Sequence, residues 1–117
     1  MVSFEVFWDR LKNELMTGRK DNTDKKWYWT IPKWSFVGRV SGKPLSCIYE
    51  GGDIVYFKTG NDTKTVSAHK DEFENLYAVW GEYIEGADRS GLEREGRKLR
   101  RLTYTIPTLK HFERLMR

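Results

Sequence analysis

The first apolar residues along the chain recur at the spacing of one helical stripe. They are Phe4, Phe7, Trp8, Leu11 and Leu15. This period predicts an amphipathic helix, with Ser3 placed to cap its start and Gly18 placed to end it. Residues 19–26 carry no apolar side chain and are predicted to form an exposed loop.

From Trp27 to Val66 the pattern changes to β-branched and aromatic residues punctuated by Gly and Pro. This pattern is typical of short antiparallel strands separated by turns. It predicts a β-meander of four to five short strands. The predicted strands cover residues 27–31, 35–40, 45–50, 53–59 and 64–66.

Gly51-Gly52 is predicted to form a two-residue hairpin turn, because glycine tolerates the positive φ angles of such turns. That turn would place Ile48 opposite Val55 and Cys47 opposite Tyr56. Both faces of the hairpin would then be partly apolar, and the sequence does not choose between a sheet covered twice and an exposed aromatic surface.

Two to three helices are predicted after the sheet. Ser67 is expected to cap one that ends at Gly86, and Gly81 should weaken this helix without breaking it. Its apolar stripe consists of Phe73, Leu76, Tyr77, Trp80 and Ile84, and its opposite side is acidic. Ser90 and Glu93 fit the capping box of a second helix running to about Leu102. A short third helix is expected to begin near Pro107.

These elements predict a single α+β domain over residues 1–117, since no repeat or linker divides the chain. No apolar run is long enough to span a membrane, and the first residues do not resemble a secretion signal. Cys47 is the only cysteine, so an internal disulfide is impossible. These features indicate a cytoplasmic protein that does not associate with membranes.

Positive charge is concentrated in the last quarter of the chain. Residues 87–117 carry a net charge of +5 and residues 1–86 a net charge of −1. The densest cluster comprises Arg94, Arg97, Lys98, Arg100 and Arg101. On the predicted helix most of these side chains share one stripe that could follow the phosphates of DNA or RNA. Alternatively, the cluster is a solvated face, contacts an acidic protein or membrane surface, or pairs with the acidic helix of the same chain or of a homodimer partner.

A second cluster combines aromatic and basic residues. It comprises Trp27, Tyr28, Trp29 and Trp34, flanked by Lys25, Lys26 and Lys33. Aromatic rings among cations can stack exposed bases while the cations neutralise phosphates, which makes Trp27, Trp29 and Lys33 candidates for nucleic-acid contact. The same tryptophans are equally suited to a hydrophobic core, which is the favoured interpretation.

No combination of residues predicts a catalytic site, a metal site or a bound cofactor. His69 with Asp71 and Glu74 lacks an evident third ligand, and His111 lies in a predicted amphipathic helix. Asp9 and Asp24 are spread over a predicted helix and a predicted loop. Three hypotheses follow. The chain is a non-enzymatic nucleic-acid-binding module, a self-associating protein-interaction domain, or a small enzyme whose pocket gathers His69 or His111 with carboxylates.

Overall fold

A computed structural model of the chain has the predicted α+β class. Along the sequence, helices precede and follow the strands of an antiparallel sheet. The first element in the chain is a long helix, and the last is a short 3₁₀ helix. The structure describes residues 1–21, 29–31, 34–35, 38–39, 45–59, 65–86, 89–93 and 98–117.

Helix α1 spans Phe4–Asp21. The predicted stripe is confirmed, because Phe7, Trp8, Leu11 and Leu15 are all buried. The Val6 amide donates to the Ser3 hydroxyl oxygen at 3.3 Å, as expected of a cap. The predicted stop at Gly18 is wrong, since the helix continues to Asp21. A glycine inside a helix costs only about 1 kcal/mol, and the lysine and arginine that follow it favour helix.

Among the described residues six strands follow α1, and most of them are short. They are β1 (Trp29–Ile31), β2 (Trp34–Ser35), β3 (Gly38–Arg39), β4 (Leu45–Tyr49), β5 (Ile54–Thr59) and β6 (Val66–His69). The main antiparallel sheet has the order β1-β4-β5-β6, and β2 pairs separately with β3. The prediction of a meander of four to five strands is therefore corrected: in the part of the chain that the structure describes, the meander consists of the three consecutive strands β4, β5 and β6. Ser35 and Gly38, which the prediction places in one strand over residues 35–40, belong to two strands that pair with each other.

The β4–β5 hairpin has a register that differs by one residue from the predicted one. Ile48 lies opposite Tyr56 and Tyr49 opposite Val55, and residues 50–53 connect the two strands. Gly51 and Gly52 do adopt the positive φ angles expected of them, 108° and 75°. A shift of one residue exchanges the faces of a strand. The core face therefore carries Leu45, Cys47, Tyr49, Val55 and Phe57, all buried.

Two contacts explain the longer hairpin connection. The Tyr49 hydroxyl donates to the Gly52 carbonyl at 2.7 Å, and the Lys70 amide donates to the Asp53 carbonyl at 2.8 Å. The Asp53 carbonyl is thus the acceptor for the first amide of the next helix. This tertiary contact competes with the tight turn that local sequence favours, and it selects the register that buries Val55 and Phe57.

The predicted helix after the sheet begins later than expected and is divided. Ser67 lies inside β6 opposite Tyr56 and caps nothing. Helix α2 spans Lys70–Ala78, and the His69 amide that precedes it donates to the Glu72 carboxylate at 3.0 Å. Helix α3 spans Trp80–Ile84 after a break at Val79. Gly86 follows α3 with a φ of 99°, consistent with the predicted end of the helix there.

The structure also corrects the prediction of a basic helix over residues 90–102. Helix α4 spans only Arg89–Leu92, and residues 98–101 are not helical. Arg101 has a left-handed backbone, with φ 56° and ψ 33°, which ends any helix that would pass through it. Helix α5 spans Leu102–His111 with Pro107 in its interior, so it begins before the predicted start. A 3₁₀ helix covers Glu113–Met116.

The core lies between the sheet and the helices. Its largest completely buried side chains come from α1, β5, α2 and the end of α5: Trp8, Phe7, Phe57, Phe73 and Phe112. The two ends of the described chain meet beside α1. The Val2 amide donates to the Met116 carbonyl at 2.7 Å, and the Arg10 guanidinium donates to the Arg117 carbonyl at 2.7 Å. Among the described residues, no helix has the length and apolar character that crossing a membrane requires.

Candidate nucleic-acid interface

One open groove brings acidic and basic side chains from distant parts of the sequence together. Its volume is about 740 Å³. One wall is formed by the end of β6 and the first turns of α2, and the other by residues 98–101, which we call the basic segment. The lining residues are His69, Asp71, Glu72, Asn75, Lys98, Arg100 and Arg101.

The wall formed by β6 and α2, called here the α2 wall, is held by several backbone contacts. His69 is paired with Ile54 in the sheet, and its amide donates to the Glu72 carboxylate. The adjacent Lys70 is fixed through its amide, and its ammonium group also donates to the Glu5 carboxylate at 3.2 Å. This hydrogen bond raises the pKa of Lys70. The backbone that carries His69 and Asp71 is therefore tied to β5, to α2 and to α1.

The basic segment has an alternation that explains its path. Leu99 is 1% exposed and belongs to the core, whereas Lys98 and Arg100 on either side of it are exposed. At one end the Asn75 side-chain amide donates to the Lys98 carbonyl at 3.4 Å. At the other end the Arg101 carbonyl accepts from the amides that begin α5. Burial of one leucine thus directs neighbouring cations outward.

The structure places three of the predicted interface residues in the groove: Lys98, Arg100 and Arg101. Their arrangement differs from the predicted helical stripe, because a non-helical segment anchored by Leu99 carries them. Trp29 lies in β1 opposite Cys47. The remaining candidates, Arg94, Arg97, Trp27 and Lys33, lie outside the described residues, so their predicted role is untested.

The α2 wall contains groups that the sequence indicated only in part. The sequence combines His69 with Asp71 and Glu74 as a weak candidate for a metal site, and it indicates no chemistry for Glu72 or Asn75. Neither a helical nor a strand period can show that residues 69–75 face residues 98–101, since the two segments are far apart in the chain. The available signal was the acidic start of α2 followed later by a basic cluster, which suggested pairing within the fold.

The other titratable candidates lie elsewhere. His111 contacts the ring of Phe112 at a centroid distance of 4.8 Å, and burial, together with the nearby Arg114, lowers its pKa. Asp9 forms an ion pair with Lys12 at 3.4 Å. Cys47 is completely buried, and this burial raises the pKa of its thiol, which disfavours the reactive thiolate.

Charge is distributed unequally between the two walls. Three exposed cations on the basic segment face two carboxylates, and one of these, Glu72, already accepts the His69 amide. Within the described part of the chain, no group of three His, Cys, Asp or Glu side chains is arranged to hold a metal ion. The groove can therefore attract phosphate along one wall and offer hydrogen-bond acceptors along the other.

The chain matches no protein-family model, no curated protein and no solved structure. The groove itself is therefore the basis for any functional argument. Its cations, its carboxylates and its single histidine define the ligands that would fit it.

Proposed function

We propose that the chain is a nucleic-acid-binding module in which the basic segment contacts phosphates. The observation that supports this proposal is the exposure of Lys98, Arg100 and Arg101 along one groove, on a backbone anchored by buried Leu99. Two of the three cations are arginines, whose planar guanidinium groups bind phosphate oxygens in pairs. The charge excess of residues 87–117 would strengthen attraction over a longer range.

The α2 wall favours a single-stranded ligand. The phosphate backbone would follow the cations of the basic segment, and this path directs the bases toward α2. The side-chain amide of Asn75 lines that wall and can hydrogen-bond the edge of an unpaired base. A groove of about 740 Å³ lies within the size range that proteins use for small organic groups.

A salt titration of binding tests this proposal. Fluorescence anisotropy would follow short labelled single-stranded RNA and DNA at several salt concentrations. We expect the logarithm of the association constant to fall linearly with the logarithm of salt concentration. The slope of this plot is negative, and it should become less steep by roughly 0.7 for each phosphate contact removed. The double variant Arg100→Glu with Arg101→Glu should abolish most of the binding.

Arg117→Glu is the matched control, because Arg117 is exposed and does not line the groove. It removes an equal charge per substitution and should reduce affinity much less than either groove substitution alone. Affinity that does not fall with salt, or that survives the double reversal in the groove, would contradict the proposal.

Self-association is a second proposal, supported by exposed carboxylates on α2 and at the end of α3. Asp71, Glu74 and Glu85 are exposed and are complementary in charge to the basic segment of another copy. Sedimentation equilibrium should then show a homodimer that dissociates as salt screens the charges. A monomer at all accessible concentrations in low salt would eliminate this proposal.

A further inference from the structure

The groove combines the kinds of group that cleavage of an RNA phosphodiester requires. His69 and Asp71 line one wall, and three cations line the other. A carboxylate can accept a proton, an imidazolium can donate one, and cations can stabilise the charge that develops on phosphate. The enzyme hypothesis required a pocket that gathers a histidine with carboxylates, and this groove meets that requirement.

The two carboxylates of the α2 wall differ in availability. Glu72 accepts the His69 amide at 3.0 Å and fixes the junction between β6 and α2. Asp71 is exposed and makes no ion pair with any residue that the structure describes. Asp71 is therefore the carboxylate free to accept a proton, while Glu72 is a positioning residue for His69.

We propose that this groove cleaves single-stranded RNA by transesterification, an inference that rests on the proposed binding function. Asp71 accepts the proton of a ribose 2′-hydroxyl, and the 2′-oxygen forms a bond to the adjacent phosphorus. The bond from phosphorus to the 5′-oxygen breaks, and the leaving oxygen takes a proton from the His69 imidazolium. The products are a 2′,3′-cyclic phosphate and a 5′-hydroxyl end.

The basic segment contributes charge to this step. As the 2′-oxygen attacks, the non-bridging oxygens of the phosphate gain negative charge, and Arg100 and Arg101 line the same groove as donors to them. The nucleophile belongs to the RNA itself, so the reaction uses no further co-reactant. Solvent exchange then restores the proton to His69 and removes it from Asp71. DNA lacks the 2′-hydroxyl and would bind without being cleaved.

The test incubates the full chain with labelled single-stranded RNA in EDTA and identifies the product ends by mass spectrometry. We expect cyclic phosphate and 5′-hydroxyl ends from RNA, and no cleavage of DNA or of RNA methylated at its 2′-oxygens. His69→Gln and Asp71→Asn should each slow cleavage by about 100-fold or more. Both variants should retain binding to the methylated RNA.

His111→Gln and Glu74→Gln are matched controls, since neither residue lines the groove. Purified identically, they should cleave at the unsubstituted rate, whereas a contaminating nuclease would give one rate in all preparations and would overturn the inference. Salt-dependent binding of RNA that remains intact would also overturn it and leave the binding proposal standing. Failure to bind RNA would overturn both.

Discussion

The two walls of the groove are attached to the fold in different ways. The α2 wall is held by three contacts: the pairing of His69 with Ile54, the hydrogen bond from the Lys70 amide to Asp53, and the hydrogen bond from the Lys70 ammonium group to Glu5. The basic segment depends on one buried side chain, Leu99, and on the contacts at its two ends. Loss of a single contact should therefore affect the basic segment more than the α2 wall.

The largest effect is expected from Leu99→Ala. Removing a buried leucine side chain costs about 2–5 kcal/mol of unfolding free energy, which urea denaturation measures. Since Leu99 directs Lys98 and Arg100 outward, affinity for single-stranded nucleic acid should also fall. Leu109→Ala is the control, because Leu109 is equally buried and lies outside the groove. It should lose similar stability and keep its affinity; equal loss of affinity in both variants would contradict the single-anchor interpretation.

A smaller effect is expected from Glu72→Ala. Loss of the carboxylate that accepts the His69 amide should cost about 1 kcal/mol, as is typical of helix caps. Affinity for nucleic acid should hardly change, because the other ties keep the α2 wall in place. Glu74→Ala, an exposed substitution in the same helix, should alter stability by less than about 0.5 kcal/mol. If Glu72→Ala weakens binding as strongly as Leu99→Ala, the walls do not differ as described.

The smallest expected effect is a dependence of stability on pH that arises from His111, which lies on neither wall. Burial and Arg114 lower its pKa in the folded state, and Lys110 and Glu113 are the other nearby charged residues in sequence. The unfolded chain then binds more protons just below the ordinary histidine pKa, so stability should decline as pH falls from 6.5 toward the lower folded value. Thermal unfolding from neutral to mildly acidic pH should show a shallower decline for His111→Gln; an unchanged decline would contradict this origin.

Local sequence patterns predicted the class of the fold, and they predicted a helix correctly where apolar residues follow one clear helical period. The stripe of Phe7, Trp8 and Leu11 is an example, since each of these residues meets the core as expected. The hairpin register was wrong because the Lys70 amide, from a later element, takes the Asp53 carbonyl. Turn residues alone carry no information about that contact. The glycines correctly indicated a turn and did not indicate its length.

The candidate site was predicted in composition and not in geometry. The charges of Lys98, Arg100 and Arg101 are visible in the sequence, but the left-handed backbone of Arg101 is not, because arginine rarely adopts it. The meeting of the basic segment with His69 and Asp71 depends on how α5 packs against α2, a long-range arrangement. The spacing of apolar residues predicts which face of a helix or strand is apolar, but it does not predict which other element packs against that face.

The contacts beside α1 have a consequence for the order of folding. Arg10 donates to the Leu115 and Arg117 carbonyls, across separations of 105 and 107 residues. Helix α1 is synthesised early, yet these partners leave the ribosome more than a hundred residues later. The apolar stripe of α1 packs partly on α2, where Trp8 contacts Phe73 and Phe7 contacts Tyr77. The contacts with the 3₁₀ helix complete this packing last. Contacts between residues so far apart in the sequence slow folding.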